Sequence, residues 1–215
     1  MNLFLISFFS LYALMHLYVF LKTKAGLAFG TWGSVFLLLF MLTMVFAPVI
    51  VRFSERASLE VFARTISYIG FTWMGVLFLF ISVSVVIDIY RILIYIAGFI
   101  SGSDLNSIKL SVRSAFYVPL LISLSIASYG YFEARDIRTE TLVIKTSKIP
   151  REVGRLKIVQ ISDIHLGLIV REKRLKRILR EVTKANPDIL VSTGDLWTDR
   201  WTGSKAWQNF LIKST

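Results

Sequence analysis

The sequence of 215 residues contains no cysteine, only four prolines and only two histidines, His16 and His165. The absence of cysteine excludes disulfide bonds and thiolate metal sites, although it does not indicate a cellular compartment. Two histidines also limit the number of imidazole ligands that the chain can offer to a metal ion. Acidic residues are scarce as well, since the sequence contains 14 Asp and Glu but 25 Lys and Arg.

Apolar residues make up 55% of the sequence and the mean hydropathy is +0.64, values that are rare in a soluble domain. Many of these apolar residues lie in four long runs without formal charge: Leu3–Leu21, Trp32–Val51, Ile66–Ile87 and Ala115–Phe132. Each is about long enough to cross a hydrocarbon layer of roughly 30 Å as a helix. Buried core helices of a soluble protein are the alternative, but four such runs in succession favour membrane spans. We therefore predict a four-helix transmembrane region over residues 1–132 of a multi-pass protein of the cell membrane.

A shorter apolar stretch, Ile92–Ile100, follows two charged residues. It either continues the third helix or lies in the membrane interface, and a fifth span is a weaker alternative. Asp88 and Arg91 precede this stretch at a spacing of three, which favours a local ion pair at the end of the third span. Five basic residues would lie on one side of the membrane and seven on the other, so the sequence does not determine the orientation.

The net charge of +11 is unevenly distributed along the chain. Up to Phe132 there are 8 Lys and Arg and 4 Asp and Glu, a net charge of +4, and from Glu133 onward there are 17 and 10, a net charge of +7. Beside a membrane anchor, this basic balance favours anionic lipid or a phosphorylated substrate over nucleic acid as a partner. Residues 133–139 have the composition of a charged linker, and a second domain is predicted to begin at residue 140. The segment Thr141–Lys145 is predicted to form a strand.

A strand–helix–strand unit is predicted between Lys157 and Thr193. The first strand, Lys157–Ser162, is apolar, and the second, Ile189–Thr193, follows a helix that ends at Asn186-Pro187 because proline lacks an amide hydrogen. The apolar face of this helix is formed by Leu175, Ile178, Leu179 and Val182. Parallel crossovers of this kind bring both strand ends to one edge of a sheet.

Three side chains follow these strands at that edge: Asp163, His165 and Asp195. Carboxylate oxygen and imidazole nitrogen suit divalent ions such as Mn²⁺, Fe²⁺ and Zn²⁺. A carboxylate has two oxygens and can bridge two ions, and Gly194 before Asp195 allows a close backbone approach or an unusual dihedral angle. Two neighbouring ions promote displacement at phosphorus by lowering the pKa of a shared water. The alternative to metal binding is that the two aspartates only cap the ends of the strands.

The segments IVQISDIHLG and PDILVSTGDL resemble the opening of the calcineurin-like metallophosphoesterase family, in a membrane-anchored bacterial-type version. The resemblance implies a two-sheet α/β sandwich with two divalent ions, Mn, Fe or Zn. It further implies that Asp163 and His165 bind the first metal and that Asp195 bridges the two. The predicted fold is thus an N-terminal α-helical transmembrane bundle followed by an incomplete α/β metallophosphoesterase domain, residues 140–196.

The family continues with a Gly-Asn-His motif, whose histidine is catalytic, and with further histidine ligands. This sequence contains neither, and His16 lies in a membrane run where helix packing or a position at the membrane interface is the expected role. The resemblance therefore implies a truncated form with a partial metal site at most and without the catalytic histidine, which is expected beyond the chain end.

The last residues suggest a reason for this departure. Trp-Thr occurs twice within residues 197–202, and Asp199 comes one position later than in the family's Gly-Asp-x-x-Asp pattern. A shift of one base permits Gly-Asp-Leu-Val-Asp-Gly instead. We expect residues 197–215 to be an out-of-frame tail, which the nucleotide sequence after the codon for Leu196 would decide. Asp199 is accordingly not assigned to the site.

These observations together predict a membrane-bound metal-dependent phosphoesterase that hydrolyses a phosphate ester or pyrophosphate by a metal-bridging hydroxide, present here in a truncated and inactive form. A non-catalytic membrane module that binds a partner or lipid is the alternative. A transporter is disfavoured because the spans contain almost no ionisable groups. The predicted crossover helix also carries many cations. They indicate a solvated face or, alternatively, contact with anionic lipid or substrate phosphate: Arg171, Lys173, Arg174, Lys176, Arg177 and Arg180.

Overall fold

The computed structural model describes residues 3–105 and 107–198. The chain divides into two compact units, Met1–Glu133 and Ala134–Thr215. The first unit contains four long helices: α1 (Leu3–Leu27), α2 (Thr31–Arg56), α3 (Glu60–Ser101) and α4 (Ser114–Glu133). All four are long and apolar enough to cross a membrane, which agrees with the four predicted runs.

Helix α3 is the central helix of the first unit, since it packs against α2 and α4 and also contacts α1. At 42 residues it includes Ile92–Ile100, so this stretch continues the third helix. The helices share an apolar core formed by Tyr12, Val19, Met41, Val45, Leu77, Phe80 and Phe116. Large apolar side chains such as Phe36, Phe78 and Leu121 are exposed on the outer surface. An apolar surface of this extent is typical of helices that face lipid.

His16 joins α1 to α3 in the core of the first unit. The indole nitrogen of Trp73 donates a hydrogen bond to His16 Nε2 at 2.9 Å, and His16 Nδ1 lies 2.8 Å from the carbonyl oxygen of Tyr12. Because an indole nitrogen can only donate, Nε2 accepts and Nδ1 carries the proton of a neutral imidazole. The Nε2 bond joins α1 to α3, whereas the Nδ1 bond lies within α1. Both ring nitrogens are thus engaged in the helix core, which agrees with the packing role expected for His16.

Lys22 and Asp88 form an ion pair between α1 and α3, with Nζ 2.8 Å from Oδ1. The Tyr18 hydroxyl donates to the other carboxylate oxygen of Asp88 at 2.6 Å, and Lys22 also donates to the carbonyl oxygen of Ser84. The prediction that Asp88 pairs locally with Arg91 is therefore wrong. α1 and α3 both end their apolar runs near these residues, and packing brings the lysine of one helix to the aspartate of the other.

The second unit contains two short parallel strands, β1 (Ile158–Ser162) and β2 (Ile189–Thr193), joined by helix α5 (Glu172–Ala185). This is the predicted strand–helix–strand unit. α5 buries Leu175, Leu179 and Val182, and it ends where Asn186 adopts a left-handed conformation before Pro187. The unit is consistent with the start of an α/β domain.

The strand predicted for Thr141–Lys145 is wrong, because these residues are not part of a strand. The two-stranded sheet of the described residues contains only β1 and β2, so the segment has no partner there. Its central side chains, Leu142, Val143 and Ile144, are exposed. β-branched residues favour an extended backbone, but only hydrogen bonds to a neighbouring strand make such a backbone part of a sheet.

Replacing Asp88 with Asn should destabilise the first unit by about 1–2 kcal/mol, because Lys22 loses its ionic partner between two apolar helices. Thermal unfolding of the full chain in detergent, followed by circular dichroism, measures the change. The control is Asp136→Asn, which removes an ion pair to Arg138 whose two side chains are 56% and 64% exposed. Exposed pairs contribute little, so an equal loss in both variants would contradict a stabilising role for Asp88.

Candidate metal centre

The candidate site lies at the carboxyl edge of β1 and β2, which end level with each other. The register pairs Ile158 with Ile189 and Ser162 with Thr193, so the residues that follow both strands begin at the same height. Asp163 and His165 follow β1, and Asp195 follows β2 after a single glycine. The structure thus brings the backbones of the three predicted residues together at this edge.

Hydrogen bonds continue from the strands into both loops. The amide of Asp163 donates to the carbonyl oxygen of Thr193 at 3.3 Å, and the amide of His165 donates to that of Asp195 at 3.1 Å. In the opposite direction, the amide of Asp195 donates to Oδ1 of the Asp163 carboxylate at 3.2 Å. This last bond joins one predicted metal ligand directly to the backbone of another.

Burial alternates along the loop after β1. Ile164 and Leu166 are buried in an apolar cluster with Leu175 and Leu179 of α5, whereas Asp163 and His165 between them are exposed. Apolar side chains on one side of the loop therefore anchor it to the helix. The carboxylate and the imidazole are left on the accessible side, where a ligand can reach them.

The backbone at this edge is strained. Asp163 and His165 both have φ of 51°, in the left-handed region that side chains rarely adopt, and Gly194 has φ of 65°. Asp and His tolerate this region better than most residues, and such outliers concentrate at functional sites. A side chain at position 194 would also collide with Asp163, since an added Cβ would overlap the Oδ1 atom of its carboxylate. Both uses of glycine expected from the sequence, close approach and unusual dihedral, are confirmed.

The pKa of Asp163 is lowered by a hydrogen bond from the Ser162 hydroxyl, then by the amide of Asp195, with a further contribution from His165. A lowered pKa keeps the carboxylate ionised above that value, so Asp163 loses its negative charge only when the pH falls through the depressed pKa. Sequence reasoning missed Ser162, because neighbouring residues of a strand normally point to opposite faces.

The donors present suit a divalent ion, since the edge offers carboxylate oxygen and imidazole nitrogen. Within residues 3–105 and 107–198, however, no group of three or more His, Cys, Asp or Glu side chains is arranged to hold a metal. Assignment of Asp163, His165 and Asp195 as ligands stays a prediction, and Asp199 lies outside the described residues.

Comparison with known proteins identifies a family that is similar to part of the chain. The family model described as calcineurin-like phosphoesterase matches residues 156–214. This part of the chain is similar to the calcineurin-like phosphoesterase family. The match includes the whole strand–helix–strand unit and all but the last of residues 197–215, for which the sequence predicts a shifted reading frame. That prediction is still to be decided by the nucleotide sequence.

Three relatives are similar to the chain over 68 to 78 residues. An uncharacterized metallophosphoesterase of Aquifex aeolicus is 37% identical over 35% of this chain and 29% of its own length. A transmembrane protein with metallophosphoesterase domain from Danio rerio is 37% identical over 36% of this chain and 18% of its own. A UDP-2,3-diacylglucosamine pyrophosphatase of Chlamydia muridarum is 44% identical over 30% of this chain and 21% of its own.

The chain thus spans less than a third of the length of each of these three relatives. No solved structure gives a significant match.

Replacing Gly194 with Ala should separate the two loops, because the new methyl group collides with the Asp163 carboxylate. Gly154→Ala is a matched control, since Gly154 has the same φ of 65° but no atom within 4 Å of an added Cβ. Both variants should lose about 1–2 kcal/mol to backbone strain, and Gly194→Ala should lose more. Limited proteolysis and thermal unfolding measure the difference. Equal losses of stability in the two variants would show that the Asp163 carboxylate moves away from the new methyl group without a cost in free energy.

Proposed function

We propose that the protein is a membrane-bound, metal-dependent phosphoesterase anchored as a multi-pass protein of the cell membrane. The observation that carries the proposal is the hydrogen bond from the Asp195 amide to the Asp163 carboxylate, beside His165, at the edge of a parallel strand pair. The family of residues 156–214 supports a phosphoester substrate, and the four apolar helices support the membrane location.

Each residue of the site has a proposed role. Asp163, held ionised by Ser162 and the Asp195 amide, and His165 would bind a first divalent ion, while Asp195 would bridge to a second. When bound, the two ions, Mn, Fe or Zn, supply an activated water and stabilise the charge on phosphoryl oxygens. The strained loop would hold Asp163 and His165 in place before a metal binds, which reduces the ordering that binding requires.

The 215-residue chain itself should be inactive. A two-metal site of this family needs additional histidine ligands and a catalytic histidine, whereas the sequence contains only His16 and His165. Both ring nitrogens of His16 are engaged, one by Trp73 of α3 and the other by the Tyr12 carbonyl oxygen of its own helix. The chain therefore contributes part of the site, and residues elsewhere in the complete domain would have to supply the remainder.

We propose a lipid-linked phosphate or pyrophosphate as the substrate, with a phosphorylated small molecule as the alternative and nucleic acid excluded as a partner. Attachment to a bilayer would bring the site near phosphorylated lipids, which favours a substrate of this class. The name of the Chlamydia muridarum relative, a UDP-2,3-diacylglucosamine pyrophosphatase, supports this class because diacylglucosamine carries two acyl chains.

Metal binding tests the three proposed ligands. Asp163→Asn, His165→Gln and Asp195→Asn should each weaken Mn²⁺ binding to the full chain in detergent by about tenfold or more, as measured by electron paramagnetic resonance titration. The matched control is Asp188→Asn at the opposite edge of the strands. Its Oδ2 accepts a hydrogen bond from the Lys157 amide, and the carbonyl oxygen of Asn can accept the same bond. Equal weakening in the control would remove the ligand assignment.

Catalysis is tested in two proteins, the 215-residue chain and a version whose reading frame is restored after the codon for Leu196. The restored protein should hydrolyse a chromogenic phosphodiester in the presence of Mn²⁺ and lose that activity on Asp195→Asn. The 215-residue chain should show no appreciable turnover, because its site is partial. Enzyme-like rates in that chain, or metal-independent rates in the restored protein, would contradict the proposal.

A further inference from the structure

The outer face of α5 carries a row of exposed cations. Lys173, Arg177 and Arg180 are all exposed and recur at the spacing i, i+4, i+7, which places them on one face of the helix. The residues that α5 buries, Leu175, Leu179 and Val182, lie on the opposite face. We call the three exposed cations the basic stripe.

The other cations of α5 have partners, whereas the stripe has none among the residues that the structure describes. Lys176 pairs with Glu172 at 2.8 Å, and Lys184 pairs with Glu181 at 2.7 Å. Arg174 donates to a carbonyl oxygen. In residues 3–105 and 107–198, no hydrogen bond or ion pair engages the stripe. Three positive charges thus face outward together, since the nearby acids Glu172 and Glu181 pair with Lys176 and Lys184 instead.

The same hydrogen bond of Arg174 shows where α5 lies in its unit. Its Nη1 donates to the carbonyl oxygen of Ala134 at 2.6 Å. Ala134 directly follows Glu133, the last residue of α4, which is long and apolar enough to span a membrane. Within the second unit, α5 is therefore bonded to the unit's first residue, Ala134.

We propose that the basic stripe binds the anionic lipid headgroups of the membrane that α1–α4 cross. The stripe and the phosphate groups have complementary charges, and the stripe belongs to the same chain as four helices that are long and apolar enough to cross a membrane. Basic residues beside an anionic leaflet each favour the bound state about fivefold. Three of them acting together favour it about a hundredfold.

The test uses the full chain in lipid nanodiscs. Because the sequence has no cysteine, Thr183→Cys gives a single labelling site on the exposed side of α5. Energy transfer from a donor at position 183 to acceptor-labelled lipids reports how closely α5 approaches the surface. Transfer should be higher in discs with phosphatidylglycerol than in pure phosphatidylcholine. It should fall in about 0.5 M NaCl, where the screening length drops to a few ångströms.

Charge removal identifies the residues responsible. The triple variant Lys173→Gln, Arg177→Gln, Arg180→Gln should lower transfer in phosphatidylglycerol to the phosphatidylcholine level. A control removes three exposed charges elsewhere in the same unit: Lys145→Gln, Lys148→Gln and Lys176→Gln. It should retain the high transfer, and circular dichroism should show the same helix content in both triple variants.

Three results would overturn the proposal. Equal transfer in the two lipid compositions would leave the stripe free for a protein partner or for solvent. An equal loss in the control variant would mean that net charge, and not the stripe, determines the approach to the membrane. Inorganic phosphate that abolishes the difference between the lipids, at unchanged ionic strength, would assign the stripe to free phosphate instead of the headgroups.

Discussion

The candidate site depends on the parallel pairing of β1 with β2. The register that places Ser162 opposite Thr193 continues beyond the strands, where the amide of His165 donates to the carbonyl oxygen of Asp195. Asp163 and Asp195 are 32 positions apart in the chain, yet one hydrogen bond joins them. A slip of one residue would turn the side chains of one loop to the other face, because side chains in an extended chain alternate.

The strained loop after β1 is maintained by burial on either side of its exposed residues. Ile164 and Leu166 are packed against Leu175 and Leu179 of α5, and this apolar contact offsets the cost of a left-handed backbone at Asp163 and His165. Backbone strain of this kind persists only where the surrounding structure fixes it. Helix α5 therefore serves the site indirectly, as the surface on which the loop is held.

Two polar contacts, Trp73 with His16 and Asp88 with Lys22, organise the apolar helices of the first unit. In a membrane, apolar side chains gain little by leaving lipid for a neighbouring helix, so hydrogen bonds and ion pairs contribute more to the choice of partner. Both contacts join α1 to α3. The few polar residues of these runs thus specify how the helices associate, whereas their apolar residues specify only that they form.

The sequence by itself determined features that depend on local composition and spacing. These are the apolar helices, the strand–helix–strand unit with its break at Asn186-Pro187, and the arrival of Asp163, His165 and Asp195 at one edge. Only the tertiary structure decided which distant groups meet. It paired Asp88 with Lys22 instead of Arg91, left Thr141–Lys145 without a partner strand, and placed the Ser162 hydroxyl on Asp163. The physical reason is that backbone propensity and hydrophobic periodicity act over a few residues, while a hydrogen bond or ion pair between distant groups depends on how whole elements pack.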